Sequence, residues 1–581
     1  MRKGYKMKKL IFTFLLLLVL PLSMYAETPY QLEWRPQNPF RFFKESKVYW
    51  EMKEIYDNVD KNHKGLAFER ALQSKKWKKE DSLTKGWADY FAKNRYAKTH
   101  WNQNRMMYDD NYVNPNSYAI EVKLNNISKE EKCKWSINSK IKAISVCSEF
   151  TPLEIEQEDK NSILTYEIVG KNQKGQKAIK LEDIIIVGLG DSYASGEGNP
   201  DTPAIFSQNR VDKDAFLVKS RYFPRKDKNG SAKWLDRRCH RSLYSYQFKT
   251  ALQYSLEHPK KFVTFVSFSC TGAKSEHIID TYKKAAEYID SSILHLKPRY
   301  LDKTSGLEIL DGKENTTKDR TKTVRPQIDA LNETLKDKKA DILLLSIGGN
   351  DIGFAGYVMN VLLKKGWKRA TKKTKYELYS TLSENYYRLD KKLKKFIKDE
   401  DNKRILLTAY PKVLQDENGK LCKGDRGAFD IPFGITEKRE ERVKDTQTYL
   451  TIPLYKIQKE LAQEIGWTFI DAHRSKFEKH GFCAKDKDNP ESFLVPHKIK
   501  KDDDWIPYNP RDTRYRAYRK KQRWFQLPMD SILMINQTKD FLWFESDLGF
   551  SDEKSGIMHP SADGLAVEAD ANIDAIEYLL Q

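Results

Sequence analysis

Five short runs made almost entirely of apolar residues follow Glu182, and they constrain the fold of this chain more than any other feature of its sequence. Longer segments with apolar residues at helical spacing separate the runs, and buried strands joined by crossover helices have this pattern. The runs are 184–187, 262–268, 342–345, 405–408 and 467–470. The predicted helices are 242–257, 326–338, 376–399, 446–465 and a last helix with Leu565, Ala569, Ile573, Ile576 and Leu580 on one face. The sequence therefore predicts an α/β fold, a three-layer α/β/α domain around a mainly parallel sheet of about five strands.

A change of periodicity before these runs predicts a separate module. Between residues 112 and 182, apolar and polar residues alternate, as they do from Tyr118 to Leu124, which is typical of half-buried strands. A Cys-x-Trp pair and short turns favour a small immunoglobulin-like β-sandwich here. Residues 27–111 are basic and aromatic; they are predicted to be partly helical, and no function is assigned to them.

The residues directly after each apolar run are the place to look for chemistry, because parallel sheets bind ligands beyond the carboxyl ends of their strands. The first run leads into Gly188–Gly198, with the sequence GLGDSYASGEG. Glycines around Ser192 allow a tight turn that exposes the hydroxyl and lets backbone N–H groups approach a substrate oxygen. A glycine-rich turn without a catalytic role is the alternative interpretation of this segment by itself.

This segment resembles the first block of the GDSL, or SGNH, hydrolase family, and GDSYASGEG is similar to the version in its secreted bacterial lipases and esterases. Three further blocks follow in family order. The block SCTGA matches the one whose glycine, here Gly272, helps to form the oxyanion hole. The block GGNDIGF resembles the one whose asparagine, here Asn350, completes that hole, and His559-Pro560 matches the block that supplies the histidine base. The resemblance covers roughly residues 183 to 581.

The resemblance implies a serine mechanism. Serine is a weak nucleophile at neutral pH, so Ser192 needs a base within hydrogen-bond reach, and His559 is the candidate. The N–H groups of Ser192 and Gly272 and the amide of Asn350 would hold the oxyanion that forms on the attacked carbonyl. The chemistry of the family requires no metal and no organic cofactor.

The chain departs from the family pattern beside the histidine. The family usually has an aspartate three residues before it, but that position here is Gly556. Asp552 could reach the imidazole around a flexible turn, or a main-chain carbonyl near Gly556 could orient it, since the correct tautomer needs an acceptor and not necessarily a charge. Asp552 could also be a solvated loop carboxylate. The nine other histidines, His240 among them, match no block and are interpreted as surface or structural.

The N-terminus and the cysteines predict export. Five basic residues precede the apolar run 10–22, and small or polar residues lead to Ala26, which is the plan of a secretory signal. The run is shorter than the roughly 20 residues of a bilayer span, so a cleaved signal, residues 1–26, is favoured over a retained anchor. The predicted destination is the periplasm, the cell surface or the medium.

Six cysteines suit an oxidising compartment, and spacing favours one of their 15 formal pairings. The predicted disulfides are Cys133–Cys147, Cys239–Cys270 and Cys422–Cys483. A metal site is the alternative, but the sequence has no CxxC or Cys/His cluster of ligand spacing.

The charge of the chain leaves several partners open. The net charge is +21, and five of the 103 cationic residues lie in the predicted signal, which leaves +16. An exported chain without a nucleic-acid motif argues against nucleic acid as a partner. The charge is compatible with an anionic envelope surface.

Two insertions could shape the substrate site. The apolar stretch 354–363 is either the lining of an acyl pocket or a helix packed on the core. The segment 484–550 combines cations with aromatic residues; it would either bind glycan or lipid headgroups or form a peripheral excursion with its own small core.

The function that these features predict is a secreted serine hydrolase of carboxylic esters, of the lipase or esterase type, acting on a lipid or an acylated glycan. A polysaccharide O-acetylesterase or an acyltransferase using the same site is one alternative. A cell-surface binding protein with an inactive hydrolase domain is another, and the missing aspartate is its only support. The sequence does not indicate an oligomeric state.

Overall fold

A computed structural model of the chain describes most of it from Tyr30 onward. The described residues are 30–60, 64–77, 80–81, 85–92, 98–102, 105–204, 206–212, 223–226, 232–286, 323–354, 357, 370–423, 439–485, 498–501, 504–507, 516–527, 530–531, 534 and 556–581. The predicted signal, residues 1–26, lies outside them.

The strands of the three larger sheets are numbered here in chain order. They are β1 (Gln31–Pro36), β2 (Ser117–Asn125), β3 (Lys132–Ile137), β4 (Lys140–Val146), β5 (Thr151–Glu156), β6 (Asn161–Ile168), β7 (Lys174–Lys180), β8 (Asp183–Gly190), β9 (Phe262–Ser267), β10 (Ile342–Ser346), β11 (Ile405–Thr408) and β12 (Thr468–Ile470). Two-stranded ribbons pair Lys76–Trp77 with Glu80–Asp81, Trp101–Asn102 with Met107–Tyr108, Phe206–Asp212 with Phe223–Lys226, Lys283–Lys284 with Thr323–Val324, and Lys498–Lys501 with Asp504–Pro507.

The α-helices within the described residues are numbered in the same way. They are α1 (Ser46–Asp57), α2 (Lys64–Ser74), α3 (Trp87–Ala92), α4 (Ser192–Ser195), α5 (Tyr246–Glu257), α6 (Ser275–Ile279), α7 (Gln327–Leu335), α8 (Lys372–Leu393), α9 (Arg439–Thr446), α10 (Ile452–Ile465), α11 (His473–Lys476) and α12 (Ala562–Leu579). A π-helical turn, Gln447–Thr451, joins α9 to α10.

A five-stranded parallel sheet in the order β9-β8-β10-β11-β12 forms the centre of the larger compact unit. Each of the five predicted apolar runs overlaps one of its strands, and every residue of β9, β10 and β11 is buried. Strands covered on both faces favour apolar side chains, and the few polar residues in these strands, such as Thr264 and Thr408, are small and buried. The prediction of an α/β fold with about five parallel strands is confirmed.

The order of the strands creates a crevice at one end of this sheet. The chain goes from β8 to β9 on one side and then to β10 on the other side of β8. At such a reversal the loops leaving the carboxyl ends diverge, and a ligand can enter between them. The segments after β8, β9 and β10 therefore meet in one place.

An aromatic cluster joins the N-terminal segment to this sheet. Phe40, Phe42 and Phe43 surround Phe248 of α5 with ring centroids 5.2 to 6.0 Å apart. Phe248 in turn contacts Phe265 of β9 at 6.0 Å. The described residues between 35 and 120 belong to the same compact unit as the parallel sheet, a grouping that the sequence did not indicate.

Among the described residues, the second compact unit comprises 30–34, 121–155 and 161–180. Its strands belong to a three-stranded sheet, β1-β2-β5, and a four-stranded antiparallel sheet, β7-β6-β3-β4. Burial alternates along β3, where Cys133, Trp135 and Ile137 point inward, as the period of two predicts. The module boundaries 112–182 stay a prediction.

The predicted disulfides are confirmed: Cys133 is bonded to Cys147, Cys239 to Cys270, and Cys422 to Cys483. Within the described ranges, no helix combines the length and the apolar character needed to cross a bilayer.

We expect Phe248→Ala to lower the free energy of unfolding by about 3–5 kcal/mol, because it removes a buried ring from the centre of the aromatic cluster. Urea unfolding followed by tryptophan fluorescence measures the loss. Tyr376→Ala on α8 is the matched control, since that ring is 78% exposed and its removal should cost less than about 0.5 kcal/mol. Equal losses in the two variants would contradict the packing role.

Candidate active site

The turn after β8 places Ser192 at the start of the short helix α4. Gly190 has a φ of 139°, and a Cβ there would lie 2.3 Å from the backbone oxygen of Ser346, so only glycine fits. The N–H of Asp191 donates to the same oxygen at 2.9 Å. The ends of β8 and β10 are therefore in direct backbone contact beside the serine.

Two buried glutamines hold this turn. The side chain of Gln327 accepts from the N–H of Gly190 at 2.9 Å and donates to its carbonyl at 2.8 Å. The amide of Gln247 donates to the carbonyls of Leu189 and Leu344 at 2.9 and 3.0 Å. Buried peptide groups at strand ends need such partners, and these side chains provide them.

A hydrogen-bonded chain connects the serine turn to the loop after β10. The Asp191 carboxylate accepts from the N–H of Tyr193 at 3.0 Å and from the hydroxyl of Tyr410. The Tyr410 hydroxyl accepts from the N–H of Gly349 at 2.9 Å. Burial raises the pKa of Asp191 to about 7, against the effect of the hydrogen bonds from Tyr410 and Tyr193.

His559 lies beside the serine, although 367 positions of sequence separate them. Its Nε2 is 2.7 Å from the Ser192 hydroxyl oxygen, and its Nδ1 is 3.2 Å from the main-chain oxygen of Ile557. When Nδ1 carries the proton and donates a hydrogen bond to the Ile557 carbonyl, Nε2 is free to accept a hydrogen bond from the serine. Burial lowers the pKa of His559, which favours the neutral imidazole that a base must be.

The loop that carries His559 is fixed by backbone contacts. Met558 adopts a positive φ of 61°, and its carbonyl accepts from the Tyr193 hydroxyl at 2.8 Å. The backbone of Gln526 pairs with this loop: its N–H donates to the His559 carbonyl at 2.9 Å, and its carbonyl accepts from the N–H of Met558 at 3.0 Å. A left-handed conformation at a non-glycine residue persists only where its surroundings hold it.

Two acceptors were predicted for the imidazole in place of the missing aspartate, and the structure describes only one of them. A main-chain carbonyl near Gly556, that of Ile557, does contact Nδ1 of His559. Asp552 lies outside the described residues.

Gly272 and Asn350 come together at the neighbouring strand ends. The Asn350 amide donates to the carbonyl of Ala273 at 2.9 Å, so the loops after β9 and β10 touch. The N–H groups of Thr271 and Ala273, on either side of Gly272, are bound to the carbonyls of disulfide cysteines. Among the described residues, none accepts a hydrogen bond from the N–H of Gly272 or of Ser192.

Asp351 anchors the asparagine loop. Its carboxylate accepts from the N–H of Ser275 at 3.1 Å, at the start of α6, and from the amide of Asn385 on α8 at 2.7 Å. Burial raises the pKa of Asp351. Asp351 directly follows Asn350, so its carboxylate connects the asparagine loop to α6 and α8.

A buried pair beside the site was missed in the sequence. His240 and Glu197 are both fully buried, with Nδ1 of the histidine 2.8 Å from the carboxylate. Glu197 lies in the segment GDSYASGEG, and His240 follows the disulfide-bonded Cys239, 43 positions later. Only the fold indicates that they form a pair.

The described parts of the two insertions are packed rather than open. Tyr357 is buried in the main core, and the remaining residues 355–356 and 358–363 of the apolar stretch lie outside the described residues. In the second insertion, Tyr518 stacks on Tyr244 at 4.5 Å and Trp524 on His480 at 3.7 Å, so these rings are buried against neighbours. Tyr508, Tyr515 and Trp543 lie outside the described residues.

In the part of the chain that the structure describes, no group of three or more histidine, cysteine, aspartate or glutamate side chains is arranged to hold a metal ion.

Known proteins give weak likenesses to this chain. No protein-family model and no curated protein matches it. Phospholipase A1 from Streptomyces albidoflavus NA297 matches at 15% identity with a TM-score of 0.28, over 68% of this chain and 98% of that chain. A carbohydrate acetylesterase from Xanthomonas citri matches at 10% identity with a TM-score of 0.20, over 68% of each chain. A family two carbohydrate esterase from Clostridium thermocellum, an active-site mutant, matches at 9% identity with a TM-score of 0.20, over 61% of this chain and 77% of that chain. At these TM-scores the likenesses carry no argument about function, which rests on the geometry of the site.

We expect Gly190→Ala to lower the free energy of unfolding by about 3 kcal/mol or more, because its Cβ would collide with a backbone atom that cannot move away. Gly466→Ala is the control: its φ is also positive, at 88°, but the nearest atom to a Cβ is 3.7 Å away. That variant should cost only the conformational penalty of about 1–2 kcal/mol. Urea unfolding of both variants measures the difference, and no difference would refute the close approach.

Proposed function

We propose that this chain is a secreted serine hydrolase of carboxylic esters, related to the GDSL or SGNH family. The observation that carries the proposal is the 2.7 Å contact between the Ser192 hydroxyl and Nε2 of His559. A nucleophile and base at this distance, with an acceptor on the other imidazole nitrogen, are the arrangement that activates a serine. Esters of lipids or acylated glycans are the proposed substrates.

In the acylation step, Ser192 attacks the ester carbonyl while His559 takes the hydroxyl proton at Nε2. The carbonyl oxygen becomes an oxyanion, and the resulting imidazolium keeps its Nδ1 proton directed at Ile557. His559 then gives its Nε2 proton to the departing alkoxide. The products of this step are the alcohol and an ester of the acid with Ser192.

The oxyanion would be held by three groups: the N–H of Ser192, the N–H of Gly272 and the side-chain amide of Asn350. The two backbone N–H groups have no acceptor among the described residues, so they are available without breaking a bond in the protein. The Asn350 amide has two N–H bonds, and one of them already points at Ala273. Its second N–H is the one proposed to face the oxyanion.

In the deacylation step, His559 removes a proton from water, and the hydroxide attacks the acyl group on Ser192. The same donors hold the second oxyanion. Collapse releases the carboxylic acid and returns the proton to the serine oxygen, so no cofactor is consumed. Export is part of the proposal, because three disulfides suit an oxidising compartment.

We expect Ser192→Ala to abolish both hydrolysis of p-nitrophenyl butyrate and labelling by a fluorescent fluorophosphonate, because the nucleophile is lost. Ser195→Ala is the matched control, since its hydroxyl lies in the same short helix but donates to a backbone carbonyl. That variant should still be labelled. Full hydrolytic activity in Ser192→Ala would overturn the proposed function.

We expect the acid limb of the kcat/KM profile to have its midpoint below pH 6.5, the usual pKa of histidine. His559 must be neutral to accept the serine proton, and burial lowers its pKa, so activity persists as the pH falls through 6.5 and is lost only below it. Initial rates between about pH 4 and about pH 8 measure the midpoint. A midpoint at or above 6.5 would contradict the burial effect.

A further inference from the structure

A carboxylate and an imidazole that the mechanism above does not use are buried close to the catalytic base. Glu197 and His240 have no exposed side-chain surface, and Oε2 of the glutamate lies 2.8 Å from Nδ1 of the histidine. Burying such groups is costly unless each is held in good geometry. A pair of this kind beside an active site calls for a functional explanation.

The pair is held rigidly from both ends. The ring of His240 stacks on Trp234 with a centroid distance of 4.3 Å and an interplanar angle of 4°. The second carboxylate oxygen of Glu197 accepts from the N–H of Gly198 at 3.2 Å. Both oxygens are therefore engaged, and the position of the charge is fixed within the nucleophile's own loop.

That loop packs directly on the loop of His559. Gly198 has a φ of 85°, and a Cβ there would lie 3.2 Å from the carbonyl oxygen of Gly556. The Asn199 amide donates to the carbonyl of Pro560 at 2.8 Å. The residues after Glu197 thus contact the chain on both sides of the histidine, including the position where the family usually has its aspartate.

We propose that Glu197, fixed by His240, is a positioning residue for His559 that supplies the negative charge which the family usually draws from the missing aspartate. The Ile557 carbonyl supplies the orientation, and the carboxylate supplies the charge. This inference rests on the proposed function, because it assigns Glu197 a part in the same proton transfer. Glu197 takes up no proton: the serine proton goes to Nε2 of His559 and from there to the leaving alkoxide.

The electrostatics agree with this geometry. Burial lowers the pKa of His559, the Glu197 carboxylate raises it, and His240 lowers it by less than the carboxylate raises it. The Glu197 carboxylate therefore favours the imidazolium that forms during catalysis. The described segments packed around His559 also carry Ser192, Asn199, Gln526, Tyr193 with Asp191 behind it, and Glu568, whose charge acts on Tyr193. Arg523 and Lys521, both paired to Asp530, lie on the segment of Gln526.

The decisive variant is Glu197→Gln, which keeps the shape of the side chain and removes its charge. We expect kcat to fall on the order of tenfold with little change in KM, since one pKa unit in the stability of the imidazolium corresponds to a factor of ten. The acid limb should also move to lower pH, because the neutral imidazole is then favoured further. A merely structural role would lower stability without moving the limb.

Glu69→Gln is the matched control. Glu69 is another buried carboxylate, 2.9 Å from the ammonium of Lys249, and it is not among the main charges that shift the pKa of His559. We expect that variant to lose stability and to keep the wild-type acid limb. If both variants moved the limb equally, the assignment to Glu197 would be overturned.

The titration of the His559 ring, followed by NMR and assigned with His559→Gln, gives a readout that does not depend on activity. We expect a lower pKa in Glu197→Gln than in the wild-type chain; an unchanged pKa would overturn the inference. If the wild-type chain hydrolysed no ester while the shift occurred, the proposed function would fail and the electrostatic link would stand. Should Glu197→Gln fail to fold, Glu197→Asp decides instead, because it retracts the charge by one methylene and should shift the ring in the same direction.

Discussion

The backbone contact between the ends of β8 and β10 is the constraint on which the site depends. The Ser346 carbonyl accepts from the N–H of Asp191, and Gly190 has no side chain to keep the strands apart. This contact fixes the turn before Ser192 and the strand before Asn350 against each other. Because both residues follow parallel strands at the reversal of strand order, one crevice receives Ser192 and Asn350, the proposed nucleophile and the proposed donor to its oxyanion.

The proposed base is held by a different kind of contact. His559 comes from the last part of the chain, and main-chain groups of Gln526 and Ile557 hold it in place. A carbonyl can fix the tautomer of an imidazole as well as a carboxylate can, but it carries no net charge to stabilise the imidazolium. In our proposal, the buried carboxylate of Glu197 supplies that charge from the loop of Ser192.

The N-terminal segment contributes to the same body. Its phenylalanines pack on Phe248 and β9, and Arg41 forms an ion pair with Asp183 at 2.9 Å, at the start of the first central strand. The aromatic content of this segment was evident from the sequence, but its packing partner was not. Aromatic residues do not indicate which distant surface they will cover. The same holds for Tyr518 and Trp524, whose rings are buried against neighbouring rings and are not exposed for ligand binding.

The sequence by itself determined the five parallel strands, the three disulfides and the order of the motif blocks, because apolar runs, cysteine spacing and turn residues are local properties. Tertiary structure alone decided which group contacts Nδ1 of His559. The acceptor is a main-chain carbonyl, and because every residue has one, the sequence does not single it out. Tertiary structure alone also paired Glu197 with His240. That pairing depends on how two loops 43 positions apart fold against each other, and no local pattern encodes it.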